Sequence, residues 1–251
     1  MVAQYEGRLA LNLSNLVISL LDGDEWERAL PPAEEAWEIR RRLAVTDREL
    51  RDTAVDDANQ LRRILSRLER PEEVLRVSEA VVEDERALLA DDPARLPEFA
   101  EAVRRLGASL VDLGQIPEGK ARWYEALDLQ RRFSAGNDNG RAGYAAICER
   151  VGISLGMLRH DEETIAILSE GLEVRRALAA SDAQYHQELV RALASAAIRL
   201  TCSEQPELAR QCAVEGLALY REHPDSSGPP QVLQVLQDLA EHPFPETLED
   251  R

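Results

Sequence analysis

Apolar residues recur along this chain at i, i+3 and i+7 in five separate stretches. These are Leu13, Leu16, Leu20; Ala58, Leu61, Leu65; Val103, Leu106, Leu110; Cys148, Val151, Leu155; and Leu193, Ala196, Leu200. That spacing marks one face of an α-helix. Helix breakers follow each stretch at the same offset: Asp22-Gly23-Asp24, Pro71, Gly114 to Pro117, His160-Asp161 and Pro206. A second helical stretch comes next, with small or apolar positions such as Ala29, Ala33, Ala36 and Ile39 in the first copy. Nothing alternates with period two over a strand's length, so no β-structure is expected.

The copies keep strict register. A step of 45 residues connects Ala36, Val81, Ala126, Gly171 and Gly216, and five residues further on it meets Arg41, Arg86, Arg131, Arg176 and Arg221. No gap is needed. One helical hairpin cannot bury its own apolar face, whereas stacked hairpins share a core. The pattern predicts an all-α, curved α-solenoid forming one domain over 1–251, with repeats at about 5–49, 50–94, 95–139, 140–184 and 185–229. In "SSGPPQVLQVLQDLAEHP" the Gly-Pro-Pro breaks the last repeat, and 230–241 reads as an amphipathic capping helix carrying Val232, Leu233, Val235, Leu236 and Leu239. The remaining 242–251 is expected to fray.

Within each copy a leucine-then-small pair precedes small residues in the second helix. Leu106-Gly107, Val151-Gly152 and Ala196-Ala197 hold the pair, Ala29 and Ala209 come twelve residues after it, and Ala36, Ala126, Gly171 and Gly216 seven later still. On these residues the chain resembles the tetratricopeptide repeat (TPR) family over about 5–223, which implies a right-handed α-solenoid of helix-turn-helix repeats. The period is 45 rather than the usual 34, an excess of 11 residues that is about three helical turns and leaves the faces unrotated. Repeats of this length resemble those of kinesin light chains and of bacterial signalling proteins. HEAT and armadillo arrays share the period, but the small-residue pattern fits TPR better. Arginine stands where the family usually ends its second helix with proline, which implies that the helix continues. Copy 2 departs most, with Arg62 and Val74 at positions that are normally small.

The resemblance implies a non-catalytic scaffold or adaptor whose first helices line a concave groove for a peptide or helix of a partner protein. An alternative is a ligand-gated regulator that closes around a small peptide or metabolite. Mapped by the 45-residue step, the groove positions are Asn15, Asn59, Gln60, Arg63, Arg67, Arg104, Arg105, Arg150 and Arg191. Ile18, Ile153 and Ile198 add apolar shelves. The arginines suit carboxylate-bearing partners. The same surface carries Asp22, Asp56, Glu101, Asp112 and Glu149, so six arginines face five acids. The pair Arg104-Arg105 is therefore either part of a basic groove or a self-paired helix face, with Glu101 as the neutralising group.

Composition narrows the partners. The chain is 44% apolar, 31% charged and 4% aromatic, with a formal net charge of −17. Such acidity disfavours nucleic acid and anionic membranes, which need clustered basic residues. The first 26 residues have no basic leader or small-residue cleavage site, and their apolar run is too short to span a bilayer. Cys148, Cys202 and Cys212 form an odd set without a Cys-x-x-Cys pair, as expected of reduced thiols in a cytoplasmic protein. Self-association through terminal hairpins is a further option.

No catalytic constellation emerges, and neither a metal nor a cofactor is expected. His160, His186, His223 and His242 are far apart in sequence, with no ligand spacing on one helix. Cys148 and Cys212 read as small buried hydrophobes. "GNDNG", 136–140, reads as an inter-repeat turn. An acid stands three residues before four of the repeated arginines (Glu38, Glu83, Asp128, Glu173), which predicts i, i+3 pairs along each second helix rather than a ligand site.

Overall fold

A computed structural model describes residues 2–135, 137–223 and 230–241. Among the described residues there are eleven α-helices and no strand. Five hairpins pair α1 (Val2–Asp22) with α2 (Trp26–Ala44), α3 (Arg51–Arg67) with α4 (Pro71–Asp91), α5 (Leu96–Asp112) with α6 (Ile116–Ser134), α7 (Asp138–Met157) with α8 (Asp161–Ser181), and α9 (His186–Cys202) with α10 (Pro206–Glu222). Helix α11 (Pro230–Glu241) packs on α9 and α10, with Leu236 wholly buried. The chain divides into two compact units, Met1–Ala126 and Leu127–Arg251. The Ser-Ser-Gly segment before α11, residues 242–251 and His242 lie outside the described residues.

Every first helix ends in the same way. Asp24, Glu69, Gly114, Arg159 and Glu204 all have positive φ, between 56° and 77°, and they recur at the 45-residue step. The next residue's N–H bonds back to the carbonyl of Leu20, Leu65, Leu110, Leu155 or Leu200, at 2.9 to 3.1 Å. This is a Schellman closure, in which one left-handed residue satisfies the last helical carbonyls and turns the chain into the second helix. Four of the five left-handed residues are not glycine, and a side chain there costs free energy. Pro71 and Pro206, read from sequence as breakers, are in fact the first residues of α4 and α10. Proline suits that position because its missing N–H has no helical partner to lose.

A second periodic device joins the hairpins. Asp47, Asp92, Asn137 and Asp182 also follow the 45-residue step, and each side-chain oxygen accepts a backbone N–H two or three residues later. Asn137 caps α7, so Asp138–Gly140 are helical rather than part of a turn as expected.

Small residues sit where helices touch. A Cβ on Gly107 would lie 2.6 Å from Trp123 and 2.7 Å from the Gly119 carbonyl, and one on Gly152 2.7 Å from Leu168. Leu61, Leu106, Val151 and Ala196 are buried, but their counterpart Leu16 is 47% exposed. The reason is that α1 packs chiefly on α2, whereas α3 is flanked by both α2 and α4.

The second helices also carry a buried polar position one residue before the repeated arginine. It is occupied by Arg40, Glu85, Gln130 and Arg175, and each reaches the start of the next hairpin. Arg40 bonds Asp57 at 2.6 Å, Glu85 receives Arg95 at 3.0 Å on both oxygens, Gln130 donates to the Gly140 carbonyl at 3.5 Å, and Arg175 bonds Glu188 at 2.6 Å. Burial pushes the Asp57 carboxyl above its usual range, against the pull of Arg40 and of the Ser14 hydroxyl.

Two outcomes are expected. Gly114→Ala lowers stability and Glu204→Gly raises it, each by about 0.5–1 kcal/mol in urea denaturation, because the Gly114 Cβ has open space and only the backbone sign matters. Arg40→Ala costs about 3 kcal/mol at pH 7 by leaving a buried carboxylate without its cation. The folded-state pKa of Asp57 is raised, so protonation favours the folded protein and the deficit shrinks on going from pH 7 to pH 5.

Candidate functional site

In the Met1–Ala126 unit, the first halves of α3 and α5 stand over α4 and enclose a cleft of about 510 Å³. Val55, Val81 and Ala102 supply its apolar floor, and Asn59, Pro97 and Arg105 its upper wall. Five carboxylates line it (Asp52, Asp56, Glu85, Glu98, Glu101) against two guanidiniums, Arg95 and Arg105. Arg95 is held by Glu85 and, at 2.8 Å, by Asp52. Glu85 is buried, which pushes its carboxyl up, while Arg95 pulls it back. Asp56 and Glu98 are exposed at the rim.

Arg104 and Arg105 converge on Glu101. Arg104 donates to both carboxylate oxygens at 2.9 Å, and Arg105 donates to one of them at 2.8 Å and to the Asn59 side-chain oxygen at 2.6 Å. The two arginines are thus paired on Glu101, and Arg105 also ties α5 to α3. Their net contribution with Glu101 is a single positive charge. Five carboxylates against two guanidiniums leave this cleft with a negative sign.

The structure takes Arg63 and Arg67 elsewhere. Both lie over the Trp26 ring, 5.9 and 6.0 Å from its centroid, and with Arg62, Ser66 and Glu69 they border a second cleft of about 380 Å³. The indole N–H of Trp26 donates to Asp24, which fixes the ring. Gln60 is half-buried on α3. Asn15 is exposed on α1 and adjoins neither cleft, and Arg150 and Arg191 are exposed in the second unit. Ile18 and Ile198 are also exposed, at 48% and 45%.

The repeated arginine bridges hairpins. Arg131 does keep Asp128 at 3.2 Å, but it also reaches Glu170 at 3.0 Å. Arg41 meets Glu83 at 3.7 Å and Arg176 meets Glu215 at 2.8 Å, each on the next second helix, and Glu173 also acts on Arg176 as a nearby charge. Arg86 lies over Phe99, 5.7 Å from its ring centroid. Long side chains on parallel second helices reach across the hairpin spacing, so these pairs form rungs of modest individual worth.

Two histidines distant in sequence meet in the fold. His186, at the start of α9, and His223, just past α10, lie together with ring centroids 4.0 Å apart. Chain separation hid a contact that antiparallel helices create. Among the described residues no three or more His, Cys, Asp or Glu side chains are grouped to hold a metal ion. No described helix is long and apolar enough to cross a membrane.

Cys148 is wholly buried beside Tyr144, and burial pushes its thiol up to about 12. Tyr144 donates to Glu170 at 2.6 Å and receives Arg131 at 3.1 Å, a structural network that leaves the thiol protonated at neutral pH. Cys212 is buried and shifted in the same direction, chiefly by desolvation, whereas Cys202 is exposed.

No protein-family model and no curated relative matches the sequence. Solved structures do match. BtubC (BKLC) from P. vanneervenii superposes with a TM-score of 0.64 at 16% identity, covering 86% of this chain and 83% of that one. A Podosopora anserina putative kinesin light chain with nearly identical TPR-like repeats superposes at 0.56, with 16% identity over 86% of this chain and 97% of that one. A point variant of that kinesin light chain gives 0.58 at 15% identity, over 88% and 98%. The shared property is the fold: an α-solenoid of TPR-like hairpins of the kinesin-light-chain kind.

Thiol titration with an aromatic disulfide at pH 8 should find one fast-reacting cysteine in the folded protein, Cys202, and all three in urea. A fast reaction that persists in Cys202→Ser would contradict the burial of the other two.

Proposed function

We propose that this chain, a stack of TPR-like hairpins, is a non-catalytic interaction module that holds a peptide segment of a partner protein against its first helices. The observation that carries this reading is the cleft between α3 and α5. It is open, it has an apolar floor, and its polar groups are spread along two helices rather than converging on one reacting atom. An extended segment places backbone amides beside Asn59, whose oxygen is occupied by Arg105 and whose nitrogen is the donor offered to a partner carbonyl. Asp56 and Glu98 at the rim take basic side chains of that segment. The partner segment is therefore cationic where it crosses this cleft, with charge pairing governing its approach and register. A scaffold of this kind acts in the aqueous interior of the cell, consistent with three thiols that make no disulfide.

Panning a random peptide library against the full chain tests the proposal. Selected peptides should be rich in Lys and Arg. They should lose about tenfold or more in affinity for Asp56→Lys/Glu98→Lys and for Asn59→Ala, with helicity unchanged. If the selected peptides bind these variants and the wild type equally, the cleft is not the docking surface.

A further inference from the structure

The cleft at Trp26 is lined chiefly by arginine. Arg62, Arg63 and Arg67 line it with one acid, Glu69, and Asp24 holds the Trp26 indole beside them, so with both acids counted the local charge is +1 in a chain of net charge −17. Other arginines of this unit lean on carboxylates: Arg40 on Asp57, Arg95 on Glu85, and Arg104 on Glu101. Arg63 and Arg67 lean instead on the indole of Trp26. At these distances the ring attracts the guanidinium charge without taking up its N–H donors, which remain able to bond a ligand.

Arg62 is the more telling residue. It occupies the position held by Val17, Gly107, Gly152 and Ala197 in the other hairpins, where small or apolar side chains serve the packing. Its Nε is buried without a hydrogen-bond partner. Burial, together with the like charges of Arg105 and Arg104, pulls its guanidinium below the usual value, and Glu101 is the carboxylate that opposes them. Both oxygens of Glu101 are already engaged by Arg104 and Arg105. An enclosed cation with repelling neighbours is costly unless an anion completes the site.

We propose that the Trp26 cleft is a phosphate-binding site, in which the guanidinium edges of Arg62, Arg63 and Arg67 converge on one phosphoryl group. Phosphate matches the count as well as the sign. A phosphomonoester carries roughly −1.5 to −2 at neutral pH and offers three acceptor oxygens, against three lining guanidiniums. A carboxylate offers two oxygens, and in this protein Glu101 is saturated by two arginines. Ser66 adds a hydroxyl on the same wall. The ligand is either free phosphate or a phosphomonoester. The site uses none of Asp56, Glu98 and Asn59, although Arg62 shares the neighbours Arg105 and Glu101 with the peptide cleft.

The test uses the full-length chain labelled with ¹⁵N, following the Trp26 indole and arginine Nε resonances at constant ionic strength. Inorganic phosphate, phenyl phosphate and acetate are titrated separately. Both phosphates should give saturable shifts at Trp26 and Arg62, while acetate at equal concentration should not. Arg63→Gln/Arg67→Gln should weaken binding by about tenfold or more. Arg62→Met should abolish phosphate binding while leaving thermal stability equal or higher, an opposition that a merely structural arginine would not show. Tighter binding of phenyl phosphate than of inorganic phosphate identifies a phosphomonoester as the ligand, and the reverse order identifies the free ion. Shifts that do not saturate, that acetate reproduces, or that survive the arginine substitutions overturn the proposal. Asp56→Lys/Glu98→Lys should keep phosphate binding, so the two sites fail or hold separately.

Discussion

A single left-handed residue after each first helix governs the architecture. At Asp24, Glu69, Gly114, Arg159 and Glu204 the chain adopts a conformation that L-residues avoid, and the cost is met by closing the carbonyls of one helix as the next begins. The leucine that receives the closing bond recurs in all five copies: Leu20, Leu65, Leu110, Leu155 and Leu200. It has two jobs, since its side chain serves the helix's packed face and its carbonyl anchors the turn. Because the turn is identical each time, second helices start at the same angle, and the step of 45 residues becomes a constant step within each unit.

Polar groups placed inside this apolar stack tune it. The position before the repeated arginine changes from Arg40 to Glu85, Gln130 and Arg175, and its partner changes with it, to Asp57, Arg95, the Gly140 carbonyl and Glu188. A buried charge is tolerated only with its complement, so each junction accepts its own neighbour and penalises a shifted register. The outer rungs made by Arg41, Arg131 and Arg176 add little energy singly, being largely solvated, but they repeat the same geometric check at the surface.

The two clefts of the first unit show how the same residue type is put to opposite uses. At α5 two arginines are consumed by one glutamate, and the cleft they border is left acidic. At the end of α3 three arginines outnumber two acids, and an aromatic ring carries part of the load that carboxylates carry elsewhere. The difference lies in what the fold brings near, since Arg63 and Arg104 look alike on a helical wheel.

Much of the fold was legible in the sequence. Helical hairpins, their number and their step follow from apolar residues at i, i+3 and i+7 and from an arginine returning every 45 residues, because a local periodicity directly reflects a helix face. Asp47, Asp92, Asn137 and Asp182 are equally periodic, but their capping role is set by the turn around each and has no signature in spacing alone. The sites were less legible. Sequence spacing placed Arg104 and Arg105 on a helix surface and named Glu101 as a candidate neutraliser. It could not show that Glu101 takes both, nor that Asn59, 46 residues away, receives Arg105. It kept His186 and His223 apart and gave no reason to connect Trp26 with Arg63. Secondary structure and repeat length depend on neighbours within a few turns, which the sequence states outright. The sign of a cleft and the partner of a charge depend on side chains that meet only across packed helices, and that pairing was decided by the tertiary structure alone.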